Sequence, residues 1–213
     1  MKTTTTTLFS SLAISLLVVG PAVAGSLDPP AAPAPTMVTL QQIYDAAKPP
    51  GCFNNSPSGL RFVDCGNGTV QDTQTSLVWL KNANCLPVGG SDWAAANRRA
   101  AKLAEGSTDG NACGLSDGSK AGAWRLPTKA EWEALVLTAQ QMSCFSPPLT
   151  NAAGTGCYAT GAWATGVQTT TYWSATTFAS NSNLAWFTDM FNGILSAFNK
   201  TANENVWPVR GGQ

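Results

Sequence analysis

Apolar and polar positions change period along the chain, and each change marks an element. Residues 60–63 (Leu-Arg-Phe-Val) read as a strand. Asn67-Gly68 follows; both residue types tolerate φ > 0, which predicts a tight hairpin turn. Residues 69–71 return, residues 72–75 turn again, and residues 77–81 give another strand. The period then becomes helical. Trp93, Ala96, Ala100 and Leu103 form one stripe, with Arg98, Arg99 and Lys102 outside it. Ser91 is placed to cap this helix, Asp92 falls in its first turn, and Gly106 ends it. A second helix is marked by Thr128-Lys129-Ala130-Glu131, a capping box in which Thr128 and Glu131 satisfy each other's backbone N–H groups. Trp132, Leu135, Val136 and Ala139 share its apolar face. The last third is strand-like over residues 171–175, 185–191, 194–199 and 206–210. Asn192-Gly193 supplies a second tight turn, and Pro208 places its strand at an edge or near an end. The pattern predicts an α+β domain: two helices early, antiparallel strands late, and long loops between.

The start of the chain is different. Lys2 is the only charge before Asp28, an apolar stretch runs over residues 8–19, and Ala22-Val23-Ala24 gives a small-x-small cleavage pattern. This reads as a secretory signal over residues 1–24, with cleavage near Ala24. Its apolar core is too short to span ~30 Å of hydrocarbon, and no later segment is apolar enough to do so. The expected locations are therefore the medium, the periplasm or the cell surface. Residues 25–50 form a proline-rich linker with a short helical turn around residues 40–47, and residues 51–213 form the folded domain.

Composition narrows the function. The chain carries 12 basic and 12 acidic residues and no histidine. A neutral balance argues against nucleic acid or an anionic membrane surface as partner. No feature sets an oligomeric state. The six cysteines Cys52, Cys65, Cys85, Cys113, Cys144 and Cys157 predict three disulfides in an exported chain. Spacing alone leaves the pairing open; nearest-neighbour pairing (Cys52–Cys65, Cys85–Cys113, Cys144–Cys157) is the expectation. Without histidine there is no Ser-His-Asp or Cys-His arrangement. Without histidine or C-x-x-C, a zinc site is not expected.

Three segments, taken together, resemble a known family. They are residues 61–72 (Arg-Phe-Val-Asp-Cys-Gly-Asn-Gly-Thr-Val-Gln-Asp) leading into Leu77-Val78-Trp79; Trp124-Arg125-Leu126-Pro127-Thr128 with Glu131-Trp132; and Tyr172-Trp173-Ser174-Ala175-Thr176 with a closing Val209-Arg210. The combination is similar to the Lcl C-terminal domain family, named after a collagen-like bacterial surface adhesin, and covers about residues 60–213. The resemblance implies a C-type-lectin-like fold, shared with formylglycine-generating enzymes, whose ends meet in a small sheet. It implies no fixed activity, and the absence of a Gly-x-y repeat removes any implied trimeric stalk. Formylglycine-generating enzymes work through a cysteine pair in the C-terminal part of the domain. Here nothing after Cys157 is cysteine, so their chemistry is not carried over and no enzyme is expected.

Binding is the remaining chemistry. Trp163, Tyr172, Trp173, Trp186 and Trp207 are large rings in a late loop-and-strand region, and exposed rings stack on sugars or anchor proteins. Trp163, Tyr172, Trp173 and Trp186, with Asn181 and Asn183, are the expected ligand residues. Oxygen donors also gather late, and calcium takes roughly 6–8 of them. Asp189, Glu204 and Asn205 are the candidate calcium ligands, although the Glu-Pro-Asn and Trp-Asn-Asp sugar patterns of C-type-lectin-like folds are absent. No other cofactor is expected. These residues point to a non-catalytic recognition or adhesion module for glycans or surface proteins. The alternative is a structural envelope-associated domain without a small ligand, and a formylglycine-generating-like enzyme comes third.

Overall fold

The computed structural model describes residues 59–86, 90–107 and 113–211. All lie within Lys48–Gln213, one of two units into which the chain divides. The expected signal, the linker and Cys52 fall outside the described residues.

The early strands form a meander. β1 (Phe62–Asp64) pairs with β2 (Thr69–Asp72), which pairs with β3 (Leu77–Leu80). The chain reverses where the pattern predicts, but through a three-residue loop closed by Cys65 N–H to Thr69 O at 3.0 Å, with positive φ at Gly66 and Gly68 rather than at Asn67. Gly68 has φ +84°, and a Cβ there would meet the Gly114 carbonyl oxygen at 2.6 Å, so glycine is required twice over. Arg61, just before β1, is buried and pairs with buried Asp72 at 3.1 Å. The same guanidinium donates to the Ala134 carbonyl at 3.2 Å, tying this meander to the second helix.

Helix α1 (Trp93–Lys102) buries Ala96 and Ala100, as its stripe requires. Two details differ from the expectation. Asp92, not Ser91, is the N-cap, accepting the Ala95 N–H at 2.7 Å. Ser91 is instead held in a backbone bridge to Glu204, with N–H···O distances of 2.9 and 3.2 Å. The helix also ends at Leu103, three residues before Gly106, because buried Leu103 turns extended (φ −61°, ψ 130°) to reach the core. Helix α2 (Lys129–Gln141) has the full capping box and buries Trp132, Leu135, Val136 and Ala139.

The late strands do not form one sheet. β4 (Thr171–Thr177), β5 (Leu184–Asp189) and β6 (Leu195–Asn199) make a separate three-stranded antiparallel sheet. β7 (Val209–Gly211) leaves them and pairs with β3, giving the order β1-β2-β3-β7. Pro208 precedes this edge strand, where its missing N–H costs no ladder bond and its carbonyl accepts from Leu80 at 3.1 Å. The first and last strands therefore share a sheet, as the resemblance implies.

An aromatic core joins the pieces. Trp79 on β3 meets Trp132 of α2 at 5.3 Å and Trp207 at 5.2 Å between ring centroids, and Trp132 meets Tyr172 of β4 at 6.1 Å. A second cluster packs Ala96 and Ala100 of α1 against Trp173, Ala185 and Leu126. Cys85–Cys113 and Cys144–Cys157 are disulfides with the expected pairing, and Cys65 is disulfide-bonded too.

Candidate functional site

Burial sorts the late aromatic rings. Trp163 is 4% exposed, and Tyr172, Trp173 and Trp207 are fully buried. Trp163 stacks on Phe62 at 4.0 Å and 8°. Each indole N–H finds a backbone carbonyl: Trp163 at Thr150 (3.2 Å), Trp173 at Ser91 (2.8 Å) and Trp207 at Leu80 (2.7 Å). A satisfied N–H lowers the cost of burying a tryptophan completely. Tyr172 accepts the Gln168 N–H at 2.8 Å, and burial, helped by nearby Tyr158, pushes its hydroxyl up to about 12. Trp163, Tyr172 and Trp173 are therefore packing residues, and the expectation that they offer exposed stacking faces is corrected.

Trp186 is different. Of the eight tryptophans, only Trp93 and Trp186 are half-buried. Each carries a lysine ammonium over its ring. Lys129 sits 4.7 Å from the Trp186 centroid, and Lys200 sits 4.0 Å from that of Trp93. The two pairs flank the β4–β5 hairpin. Phe178, the first residue of its loop, meets Trp186 edge-on at 5.3 Å. Lys129 is pinned by Glu133 one helical turn on, and Lys200 by the Thr177 hydroxyl at 2.8 Å. The Trp93 N–H donates to the Ser174 carbonyl at 2.8 Å, fixing α1 to β4.

The loop between these pairs is ordered by its own hydrogen bonds. Phe178 N–H donates to Leu184 O at 3.0 Å, Asn181 N–H to Phe178 O at 3.1 Å, and Asn183 N–H to the Asn181 side-chain oxygen at 3.0 Å. Asn181 and Asn183 are exposed. The structure thus brings together three of the expected ligand residues, Trp186, Asn181 and Asn183, around one hairpin. Phe178 and Lys129 lie against Trp186, while Trp93 and Lys200 pair on the α1 side of the sheet, the side to which Ala185 and Phe187 turn; none of the four was among the expected ligand residues. Lys129 lies within the capping-box segment, whose work is done by Thr128 and Glu131, and Trp93 belongs to the helical stripe, so nothing local marks either as a ring-and-ammonium partner.

Asp189, Glu204 and Asn205 meet around Thr171. Asp189 lies opposite Thr171 in the β4–β5 ladder, the Glu204 carboxylate accepts from the Thr171 hydroxyl, and the Asn205 amide donates to the Thr171 carbonyl at 3.0 Å. Asp189 also caps the following turn by accepting the Phe191 N–H at 2.8 Å. Burial pushes the Glu204 carboxyl up, against the lowering effect of the Thr171 hydrogen bond. Glu204 and Asn205 hold Thr171 through its hydroxyl and carbonyl, and Asp189 holds the turn after β5. Among the described residues, no group of three or more acidic, Cys or His side chains is arranged to hold a metal. Arg98 and Lys102 are exposed on α1 and Arg99 is half-buried.

The recurrent motifs resolve into structural parts. In Arg125-Leu126-Pro127-Thr128, Arg125 forks onto Glu131, Leu126 is buried, the Pro127 carbonyl accepts from Ala175 at 2.7 Å, and Thr128 caps α2. The closing Arg210 pairs with buried Asp117 at 3.0 Å and lies over the Trp124 ring.

These parts define a disulfide-bonded α+β domain whose motif residues build the scaffold. Residues 68–210 match the model of the Lcl C-terminal domain, and the chain belongs to that family. Membership suggests a surface-associated, adhesion-type domain. No curated protein matches the chain.

Proposed function

We propose that the protein is a non-catalytic recognition domain, exported and displayed at the cell surface or in the envelope, that binds glycans at the β4–β5 hairpin. The observation that carries this reading is the half-buried Trp186, capped by Lys129 and met by Phe178, on the hairpin whose loop exposes Asn181 and Asn183. Such an arrangement supplies what a sugar requires. Ring edges and alkyl stems receive its apolar face, amides reach its hydroxyls, and ammonium groups attract carboxylate or sulfate substituents. The scaffold beneath is rigid, so little ordering cost falls on binding. Family membership, the signal-like leader and the disulfides support an extracytoplasmic setting. The lack of histidine, and of cysteine beyond Cys157, supports the absence of catalysis.

A second reading, a structural domain without a small ligand, is favoured by the burial of Trp163, Tyr172, Trp173 and Trp207. A glycan array probed with the purified exported chain, with and without calcium, separates the two. The expected result is binding that falls by about 1–3 kcal/mol in a folded Trp186→Ala variant, the range of an anchoring aromatic. Calcium dependence that disappears in Glu204→Gln would make the Thr171 cluster part of the site. No binding on the array, or full affinity in the folded Trp186→Ala variant, would sink the glycan reading.

A further inference from the structure

β6 is the outer strand of the β4-β5-β6 sheet, and among the described residues nothing pairs with its far edge. Its inner edge is paired with β5 without a break from Leu184–Asn199 to Thr188–Leu195. The Asp189 N–H donates to the Ile194 carbonyl at 2.9 Å, and the Lys200 N–H to the Asn183 carbonyl at 2.9 Å. Antiparallel ladders alternate every second residue. Ile194, Ser196 and Phe198 therefore turn their backbone groups toward β5, and Leu195 and Ala197 turn theirs outward.

Natural sheet edges are usually guarded by charge, proline, a bulge or a covering segment. Residues 194–199 contain no charged residue and no proline, and their register carries no bulge. The side chains reinforce the opening. Ile194 is 56% exposed and Phe198 51%, and Ser196 lies exposed between them on the same face. This is an edge built to be continued.

We infer that β6 pairs antiparallel with β6 of a second copy of the chain, about a two-fold axis at Ser196, joining two three-stranded sheets into one. The strand is complementary to itself in that register. Ile194 of each copy lies opposite Phe198 of the other, so the two large exposed groups form two aromatic–β-branched pairs. Leu195 lies opposite Ala197, large against small, and these two residues exchange the outward backbone hydrogen bonds. The two serines meet at the axis. Ile194, Ser196 and Phe198 fall at non-hydrogen-bonded positions, where opposed side chains come closest. Because the segment is uncharged, no charge meets its like. The contact is isologous, so it closes at two copies. It is also small, so the dimer dissociates on dilution.

Sedimentation equilibrium of the disulfide-intact exported chain over a concentration series tests this. A monomer–dimer equilibrium is expected. Ser196→Lys sets two ammonium groups against each other at the axis, and Ala197→Pro removes an outward N–H while leaving the β5 pairing intact. Each should weaken the dimer at least about tenfold, a cost of about 1.4 kcal/mol, with an unchanged circular dichroism spectrum. Ser196→Cys should give a disulfide-linked dimer on mild oxidation, and an Arg98→Cys control on α1 should not. A monomer at every concentration overturns the inference. So does a dimer of unchanged strength in both Ser196→Lys and Ala197→Pro. Cross-linking through Ala197→Cys and not Ser196→Cys would overturn the axis at Ser196. Since the readout is assembly, failure here is distinct from failure of glycan binding.

Discussion

Arg125 grips Glu131 through both terminal nitrogens, at 2.8 and 2.7 Å, while Glu131 accepts the Thr128 N–H at 2.7 Å. One carboxylate thus caps α2 and anchors the segment that leads into it. Burial alone would raise its pKa, but the Arg125 and Thr128 hydrogen bonds outweigh that and hold Glu131 below the ordinary carboxylate range. A depressed folded-state pKa gives stability that is fully present above the unfolded value and is lost as pH falls through the folded one. Glu131→Gln should therefore flatten the acid limb of a stability–pH curve measured by denaturant midpoints. At neutral pH, Arg125→Ala should cost about 1.5–3 kcal/mol, as for hydrogen bonds to charged groups, and Thr128→Ala about 1 kcal/mol. An acid limb identical in Glu131→Gln and the parent chain would refute the assignment.

Trp163 and Trp186 should separate stability from recognition. Trp163→Ala removes the ring stacked on Phe62 and opens the core, at a cost of about 3–5 kcal/mol. Trp186→Ala, at a half-buried position, should cost much less and leave the near-ultraviolet spectrum of the core tryptophans in place. Thermal melts of the two variants provide the comparison, and equal losses would place Trp186 in the core.

The Arg61–Asp72 pair is 3% and 2% exposed at its side chains, and Arg61 also holds Ala134. Removing one partner strands a buried charge. Asp72→Ala should cost about 3–5 kcal/mol, and a double apolar replacement clearly less than the sum of the single changes. A double-mutant cycle in urea measures the coupling. Strictly additive losses would mean that the pair is energetically uncoupled.

The two described disulfides close loops of different length, with sequence separations of 28 and 13 residues. Loop-closure entropy gives roughly 3 kcal/mol for the shorter, and roughly 0.5–1 kcal/mol more for the longer. Replacing Cys85 and Cys113 together by Ala should thus destabilise more than replacing Cys144 and Cys157. Alkylation of the intact chain without reduction, followed by mass measurement, should label no cysteine.

What the sequence made legible was local. The capping box at Thr128–Glu131 depends on residues three apart, and the place of the turn at Asn67-Gly68 on a few neighbours, so both can be located directly. Spacing leaves disulfide pairing open, and the structure supplies Cys85–Cys113 and Cys144–Cys157. The choice between Ser91 and Asp92 as cap is decided by Glu204, far along the chain, which claims Ser91 for a backbone bridge. The burial of Trp163 is decided by Phe62 at the opposite end of the domain. A tryptophan in a late strand looks the same in sequence whether it faces solvent or core, because burial depends on what packs across from it. Oxygen donors are similar: Asp189, Glu204 and Asn205 are simply late donors in the sequence, and only the fold shows that they gather around Thr171. Trp186, Asn181 and Asn183 were legible as hairpin residues, but the lysine over Trp186 was not, because Lys129 comes from a distant helix.

The place of β7 beside β3 has a consequence for biogenesis. β3 is made early, yet its second edge stays bare until Val209–Gly211 has been synthesised. Arg210, which partners Asp117, arrives with the same segment. A chain cut short before this point keeps both helices and all six preceding strands but lacks the closing piece of its first sheet. Such fragments present an open strand beside the Trp79 core and are suited to capture by chaperones or proteases. Synthesis of Val209–Gly211, rather than emergence of the helices, is what completes the first sheet.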